Sequence, residues 1–319
     1  MHILFVIDPL EELAAYKDTS VSMIKAVQLR GHTVSVAYQN DLFIDHGIVM
    51  ARYITISIPT DADLYSNSWW VAESNPQDAA LSEFSAVIMR KDPPFDLEYF
   101  YSTHLFDYAK AQGARVFNSG SALRNHPEKL AITEFNEFTA PTLVTSSMSR
   151  IKDFYIKHGD IVVKPLDGMG GSGVFRIKQG DSNLSSILET LTGMGANSIM
   201  AQKYIPDISN GDKRILIIGG EVIPYCLARI PLAGESRGNL AAGGRGVARP
   251  LTNRDLEIAN AVAQKLYKRG LFVIGLDIIG NYLTEVNVTS PTCFVEIAEQ
   301  TDCNVPEVFA IALEKELGA

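Results

Sequence analysis

Cysteine is scarce in this 319-residue chain. Its three copies, Cys226, Cys293 and Cys303, are widely separated and form no C-x-x-C. That excludes a disulfide framework and points to a reduced, cytoplasmic protein with unpaired thiols. Histidine is sparse as well, six copies scattered with no H-E-x-x-H spacing, which argues against a zinc site. No apolar run approaches the roughly 20 residues of a membrane span. Lysine and arginine never form a dense block and the net charge is −9, so a nucleic-acid-binding stripe is not expected. The opening MHILFVIDPLEEL is short and soon acidic, and it reads as a first strand rather than a signal peptide. No internal repeat, low-complexity tail or Pro- or Ser-rich linker is present. With 46% hydrophobic residues over this length, two or three tightly packed sub-domains are expected.

What is present begins as alternating strand and helix. HILFVI (2–7), TVSVAY (33–38), AVIMR (86–90) and ARVFN (114–118) read as strands, with helical VSMIKAVQLRG (21–31) and EYFYSTHLFDYAKAQG between them. This repetition predicts a parallel α/β sheet, whose ligands gather beyond the carboxyl ends of the strands. Asp8, Arg90-Lys91-Asp92 and Asn118-Ser119 stand at those ends. Further on, HPEKLAITEF reads as a helix. RILIIGGEVIPYCLAR reads as a hairpin turning at Gly219-Gly220. NRDLEIANAVAQKLYKRG is another helix, followed by a last hairpin, LFVIGLDIIGNYLTEVNV.

Two features carry chemistry. DGMGGSG (167–173) resembles a nucleotide loop, but Gly173 runs into strand-like VFRIK instead of opening a helix. The loop therefore joins two strands, and its N–H groups can fold over an anion as a flap. Lys164, in apolar VVKP just before it, is costly to bury unless an anion such as phosphate meets it. The second feature is the last hairpin. A two-residue loop at Gly280-Asn281 would mix polar and apolar residues on both faces. A three-residue loop, Gly280-Asn281-Tyr282, pairs Asp277 with Glu285 and sorts the faces cleanly. Gly275, Asp277, Glu285 and Asn287 then share one face, and Leu276, Ile278, Val286 and Val288 the other. Opposed carboxylates beside an amide oxygen, with no Cys or His, indicate a hard cation, and magnesium fits best.

The strand lysine, the flap and the D…E-x-N platform together resemble the ATP-grasp ligases. RKDPPFD (90–96), KPLDGMGGSG (164–173), PYCLARIP (224–231), RGNLAAGGRG (237–246), GLDIIG (275–280) and TEVNVTSPT (284–292) are similar, in order, to the prokaryotic glutathione synthetase family. The resemblance implies an N-terminal α/β substrate-binding domain over 1–124 followed by an ATP-grasp fold. That fold comprises a central sub-domain over 125–202 with the flap, and a C-terminal one over 203–319. The latter holds the magnesium platform and a mobile loop at 230–252. It also implies an ATP-dependent ligation of γ-glutamylcysteine with glycine through an acyl phosphate, giving glutathione, ADP and phosphate.

Carried onto this chain, the resemblance assigns nucleotide contacts to Lys129, Lys164, Gly168, Gly170, Gly171, Ser172, Gly173, Gln202, Lys203, Tyr204, Ile205 and Asp212. Asp277, Glu285 and Asn287 become the metal ligands, for two magnesium ions with manganese as a substitute. Arg90, Arg214, Arg229, Ser290 and Thr292 fall near the peptide, and Arg229, Arg237, Arg245 and Lys164 near the reacting groups. A homo-oligomer, a tetramer by resemblance, is implied too, with no nucleic acid or membrane as partner. One departure is Val295, where the family commonly carries an arginine. Other ATP-grasp carboxylate–amine ligases share Lys164 and the platform but not obviously RKDPPFD or the TSPT tail. A regulatory nucleotide-binding module would have less need of clustered metal carboxylates.

Overall fold

The computed structural model describes residues 1–232, 238, 240 and 243–318. Three sheets organise it. The first is built from β1 (His2–Ile7), β2 (Thr33–Tyr38), β3 (Leu42–Asp45), β4 (Ile48–Ser57), β5 (Val71–Ala72), β6 (Gln77–Ala80), β7 (Ala86–Met89) and β8 (Val116–Phe117). Its centre, β2-β1-β7-β8, is parallel, as the sequence predicts. Strands β3 to β6 add an antiparallel extension that the sequence reading did not contain. Three helices belong to this part: α1 (Thr19–Leu29), α2 (Leu97–Ala111) and α3 (Gly120–Asn125). Asp18 and Asp96 start α1 and α2 by accepting the Val21 and Tyr99 N–H groups.

The second sheet runs β11-β10-β12-β9 and is antiparallel, from β9 (Thr142–Thr145), β10 (Ile161–Pro165), β11 (Phe175–Ile177) and β12 (Ile199–Lys203). Helices α4 (Met148–His158) and α5 (Leu184–Thr192) pack beside it over a small core of Ile151, Ile161, Val163, Ile177 and Leu188. The third sheet, also antiparallel, runs β15-β14-β13-β16-β17, from β13 (Asp212–Ile218), β14 (Glu221–Ile230), β15 (Arg245–Pro250), β16 (Val273–Ile279) and β17 (Tyr282–Asn287). Helix α6 (Asn253–Leu266) opens on a capping box between Thr252 and Asp255. Helices α7 (Phe294–Gln300) and α8 (Val305–Leu317) follow. Phe294, Phe309 and Leu313 share one core with β1 and α1, which joins the two ends of the chain. Among the described residues no helix is long and apolar enough to cross a membrane.

Three expectations change. The helix expected over HPEKLAITEF is a 3-10 stretch, Leu130–Phe138, broken at Phe135. The Glu128 carbonyl just before it accepts the Val286 N–H of β17. The loop expected over 230–252 is shorter, because Arg245–Pro250 pairs with β14, Ile230 opposite Arg245. Most of what remains between the two strands lies outside the described residues. Finally, Asn118 is a clamp inside the fold. Its Oδ1 accepts the Phe272 and Val273 N–H groups, and its Nδ2 donates to the Val273 and Val288 carbonyls. Asp8 is likewise engaged, pairing with Lys91 at 2.7 Å.

Candidate active site

The platform hairpin reaches the predicted alignment by another route. Tyr282 pairs with Ile279, so the turn holds only Gly280 and Asn281. Between Ile278 and Asp277 the register shifts, and Thr284 is the extra residue. The bulge restores the one-sided pattern, with Asp277 opposite Glu285 and Gly275 opposite Asn287. It also turns Thr284 to use: its hydroxyl donates to the Asp277 carbonyl at 3.0 Å, and its own carbonyl accepts Lys164 Nζ at 3.0 Å. The lysine of the second sheet is thus tied to the third.

Around this hairpin the charges alternate. Arg214 lies opposite Asp277, and Arg229 opposite Asp212. Asp277 takes Arg214 at 2.6 Å and Arg229 at 2.9 Å, while Glu285 takes Lys129 at 3.1 Å. Burial alone would raise the Asp277 pKa; the two arginines override it and hold the carboxyl well below its ordinary range. Asp212 shows the opposite balance. Burial pushes it up to about 6 although Arg229 pulls the other way, and its Oδ1 has no partner among the described residues. Lys164 is lowered by burial, which the nearby Glu285 charge only partly offsets.

Gly275 makes room for this arrangement. A Cβ there would stand 3.0 Å from Pro291 Cβ and 3.1 Å from Arg214 Cδ. Gly275→Ala is therefore expected to cost about 1–3 kcal/mol of stability, the scale of overpacking. Urea denaturation checks this, and an unchanged midpoint would contradict the packing.

Above the platform lies a cleft with about 330 Å³ of free space, within the range of small-molecule sites. One end is apolar, lined by Val162, Val174, Ile205, Ile208 and Ile279. The chain leaving β12 runs along it, with the Lys203 N–H on the Pro141 carbonyl and the Tyr204 N–H on the Asp160 carbonyl. The other end is the charged platform. Between them hangs the flap, where Gly170 and Gly171 adopt φ of +60° and +81°, a backbone course closed to most side chains. Lys129 donates both to the Gly168 carbonyl and to Glu285, so it joins the flap to the platform.

Most of the residues assigned from sequence meet in this cleft: Lys129, Lys164, Gly168, Gly170, Gly171, Gln202, Lys203, Tyr204, Ile205, Asp212, Arg214, Arg229, Asp277, Glu285, Asn287, Ser290 and Thr292. Others do not. Ser172 and Gly173 belong to the flap but do not line the cleft. Arg90 is buried behind it, donating to Ser20 Oγ and to the Pro291 carbonyl, so it braces the Thr-Ser-Pro-Thr break from outside. Arg245 is exposed on β15, away from the cleft, because its register opposite Ile230 directs it there. Arg237 lies outside the described residues. Val295 lines a separate groove with Tyr16 and Val21.

Arg176 and Glu128 are among the cleft residues that the sequence does not mark. Arg176 stacks on the Tyr204 ring, its guanidinium 3.5 Å from the centroid, while pairing with Asp160. It stood in the quoted VFRIK, but nothing local marks a stacking arginine. Glu128, next to Lys129, is half-buried and accepts from Val288 and Thr289. Burial and then the Glu285 charge raise its pKa, and the hydrogen bonds it accepts work against that.

The donors suit a hard divalent cation. Asn287 Nδ2 donates to the Gly275 carbonyl at 3.2 Å, which leaves its oxygen unengaged among the described residues. Only one oxygen of Glu285 is taken, by Lys129. Among the described residues no group of three or more His, Cys, Asp or Glu side chains could hold an ion alone. An ion held here must therefore draw on Asn287, water and ligand oxygens, which is the habit of magnesium beside phosphates.

Comparison with known proteins decides the family. Residues 1–124 match the N-terminal domain of prokaryotic glutathione synthetase, and residues 128–302 match its ATP-grasp domain. The chain belongs to the prokaryotic glutathione synthetase family. It is 64% identical over 318 residues to the glutathione synthetase of Bordetella parapertussis, each chain covered in full. The Ralstonia nicotianae enzyme is 50% identical, covering 100% of this chain and 97% of its own. Solved structures share the fold. D-cycloserine synthetase DcsG superposes with a TM-score of 0.67 at 15% identity, with 99% of each chain covered. The ATP-grasp ligase PsnB, complexed with minimal precursor, Mg and ADP, gives 0.62 at 17%, covering 100% of this chain and 98% of its own. The family and the fold make this chain an ATP-dependent carboxylate–amine ligase.

Proposed function

We propose that this ligase joins γ-L-glutamyl-L-cysteine to glycine, producing glutathione, ADP and phosphate through an acyl phosphate. The observation that carries the reading is the cleft that joins an apolar lining to the charged platform, in a chain 64% identical over 318 residues to a glutathione synthetase. Adenine occupies the apolar end, against Ile205 and the backbone from Gln202 to Tyr204, with Arg176 fixing the Tyr204 ring. The phosphates lie under the flap, met by Lys129 and Lys164. Residues 1–124 and the Ser290–Thr292 break bound the peptide side, 125–202 carry the flap, and 203–319 carry the platform.

Phosphoryl transfer needs placement and charge neutralisation more than a covalent side chain. Arg214 and Arg229 supply fixed positive charge beside the reacting carboxylate, already oriented by Asp277 and Asp212. The flap keeps water from the acyl phosphate until the glycine amine arrives. Asp277, Glu285 and Asn287 would hold magnesium, two ions or manganese in its place, whose charge offsets that of the phosphate oxygens. A cytoplasmic homo-tetramer completes the proposal.

The test is ADP release with defined substrates. Release should require γ-glutamylcysteine, glycine and magnesium together. Equal turnover with D-alanine alone would transfer the chain to another branch of the ATP-grasp ligases.

A further inference from the structure

Strand β17 is an edge. It pairs with β16 on one side and, among the described residues, with no strand on the other. An edge strand leaves its outward N–H groups without a ladder. Here one residue takes the place of the missing strand. The Glu128 carbonyl accepts the Val286 N–H at 3.0 Å. Its Oε1 accepts the Val288 N–H at 2.9 Å, the Thr289 N–H at 3.1 Å and the Thr289 hydroxyl at 2.9 Å. Residues 286 and 288 flank Asn287, and side chains alternate along a strand. Fixing the backbone on both sides of Asn287 therefore fixes where its amide, and the carboxylate of its neighbour on the same face, Glu285, enter the cleft.

We infer that Glu128 is a positioning residue, holding β17 so that Glu285 and Asn287 present their oxygens together to a metal-bound nucleotide. It rests on the ligase reading above. Glu128 is well suited to this. A carboxylate accepts several N–H groups at one oxygen more strongly than a neutral acceptor does. The segment just beyond is anchored independently, with Asn118 on the Val288 carbonyl and Arg90 on the Pro291 carbonyl. Losing Glu128 should thus loosen the metal-facing strand and leave the adenine end, across the cleft, as it was.

The experiment measures ADP binding by calorimetry, in EDTA and again in magnesium chloride, for the full-length wild type, Glu128→Ala and Glu128→Gln. The ratio of the two affinities is the gain that magnesium confers, and it needs no turnover and no peptide. Glu128→Ala should lose about tenfold of that gain, the scale set by residues that orient metal ligands. Its ADP affinity in EDTA should stay within about twofold of wild type, well below that tenfold effect. Glu128→Gln keeps an oxygen of the same reach without the charge and should recover part of the loss. In turnover, Glu128→Ala should lower kcat, raise the magnesium requirement and raise KM for ATP.

A magnesium gain that survives in folded Glu128→Ala overturns the inference. So does a parallel fall of ADP affinity in EDTA, or a glutamine variant as impaired as alanine. If Glu128→Ala fails to fold, Glu128→Asp, which keeps the charge and shortens its reach, is measured against the same two outcomes. Failure of the wild type to ligate γ-glutamylcysteine would sink the substrate reading and leave this measurement standing.

Discussion

Glu285→Gln is expected to fold normally and to lose turnover. The substitution keeps the shape, and Lys129 keeps an oxygen to donate to at the position it now meets at 3.1 Å. Glu285 is only half-buried, so the stability change should stay within about 1 kcal/mol, the worth of one such interaction. What disappears is the negative charge opposite Asp277. The assigned cation loses one of its two carboxylates, and kcat should fall by about 10²–10³-fold, as when one group that stabilises transition-state charge is removed. Steady-state ADP release and a thermal melt read the two effects separately. Activity near wild type would remove Glu285 from the metal set.

Lys164→Met should separate function from stability still further. Lys164 is 7% exposed, and its one hydrogen bond among the described residues is to the Thr284 carbonyl. Burial lowers its pKa, with Glu285 acting in the opposite direction. A lysine whose folded pKa lies below its unfolded one costs stability while charged, and that cost disappears as pH rises through the unfolded value. At neutral pH the charge therefore works against folding, and it is kept for an anion that arrives later. Methionine matches the stem and carries no charge. The variant should melt no lower than wild type, while ATP binding weakens and turnover drops by about 10²-fold or more. A variant that melts well below wild type would show that Lys164 stabilises the fold instead.

Much of this was legible in the sequence because the relevant patterns are local. The parallel strands announce themselves as continuous apolar runs, and the Gly219-Gly220 turn and the glycine flap by composition. The pairing of Asp277 with Glu285 followed from sorting polar from apolar positions. The loop chosen to explain it was wrong, since a two-residue turn with a bulge at Thr284 produces the same alignment. Alternation reports which residues share a face, and it is blind to where a bulge has been inserted.

Other features depend on contacts far apart in the chain. Arg90 stands at a strand end, and what the sequence does not show is that its Nε and one terminal nitrogen bond Ser20 and Pro291, the latter 201 residues away. Arg245 was placed in a loop because glycine surrounds it, but the tertiary partner β14 draws it into a strand. Glu128 sits in HPEKL, beside the lysine that drew attention. Its role is visible only once β17, some 160 residues on, is seen to be an edge. The short antiparallel strands β3, β5 and β6 are partly exposed and only weakly patterned, so local sequence does not mark them.

The most direct measurement is a crystal structure of the protein soaked with ADP and magnesium chloride. An octahedral ion is expected at about 2.1 Å from oxygens of Glu285 and Asn287, and of Asp277 or a water it holds. Phosphate oxygens should complete the shell under the 167–173 flap. An ion elsewhere, or diphosphate lying away from β16 and β17, would contradict this placement.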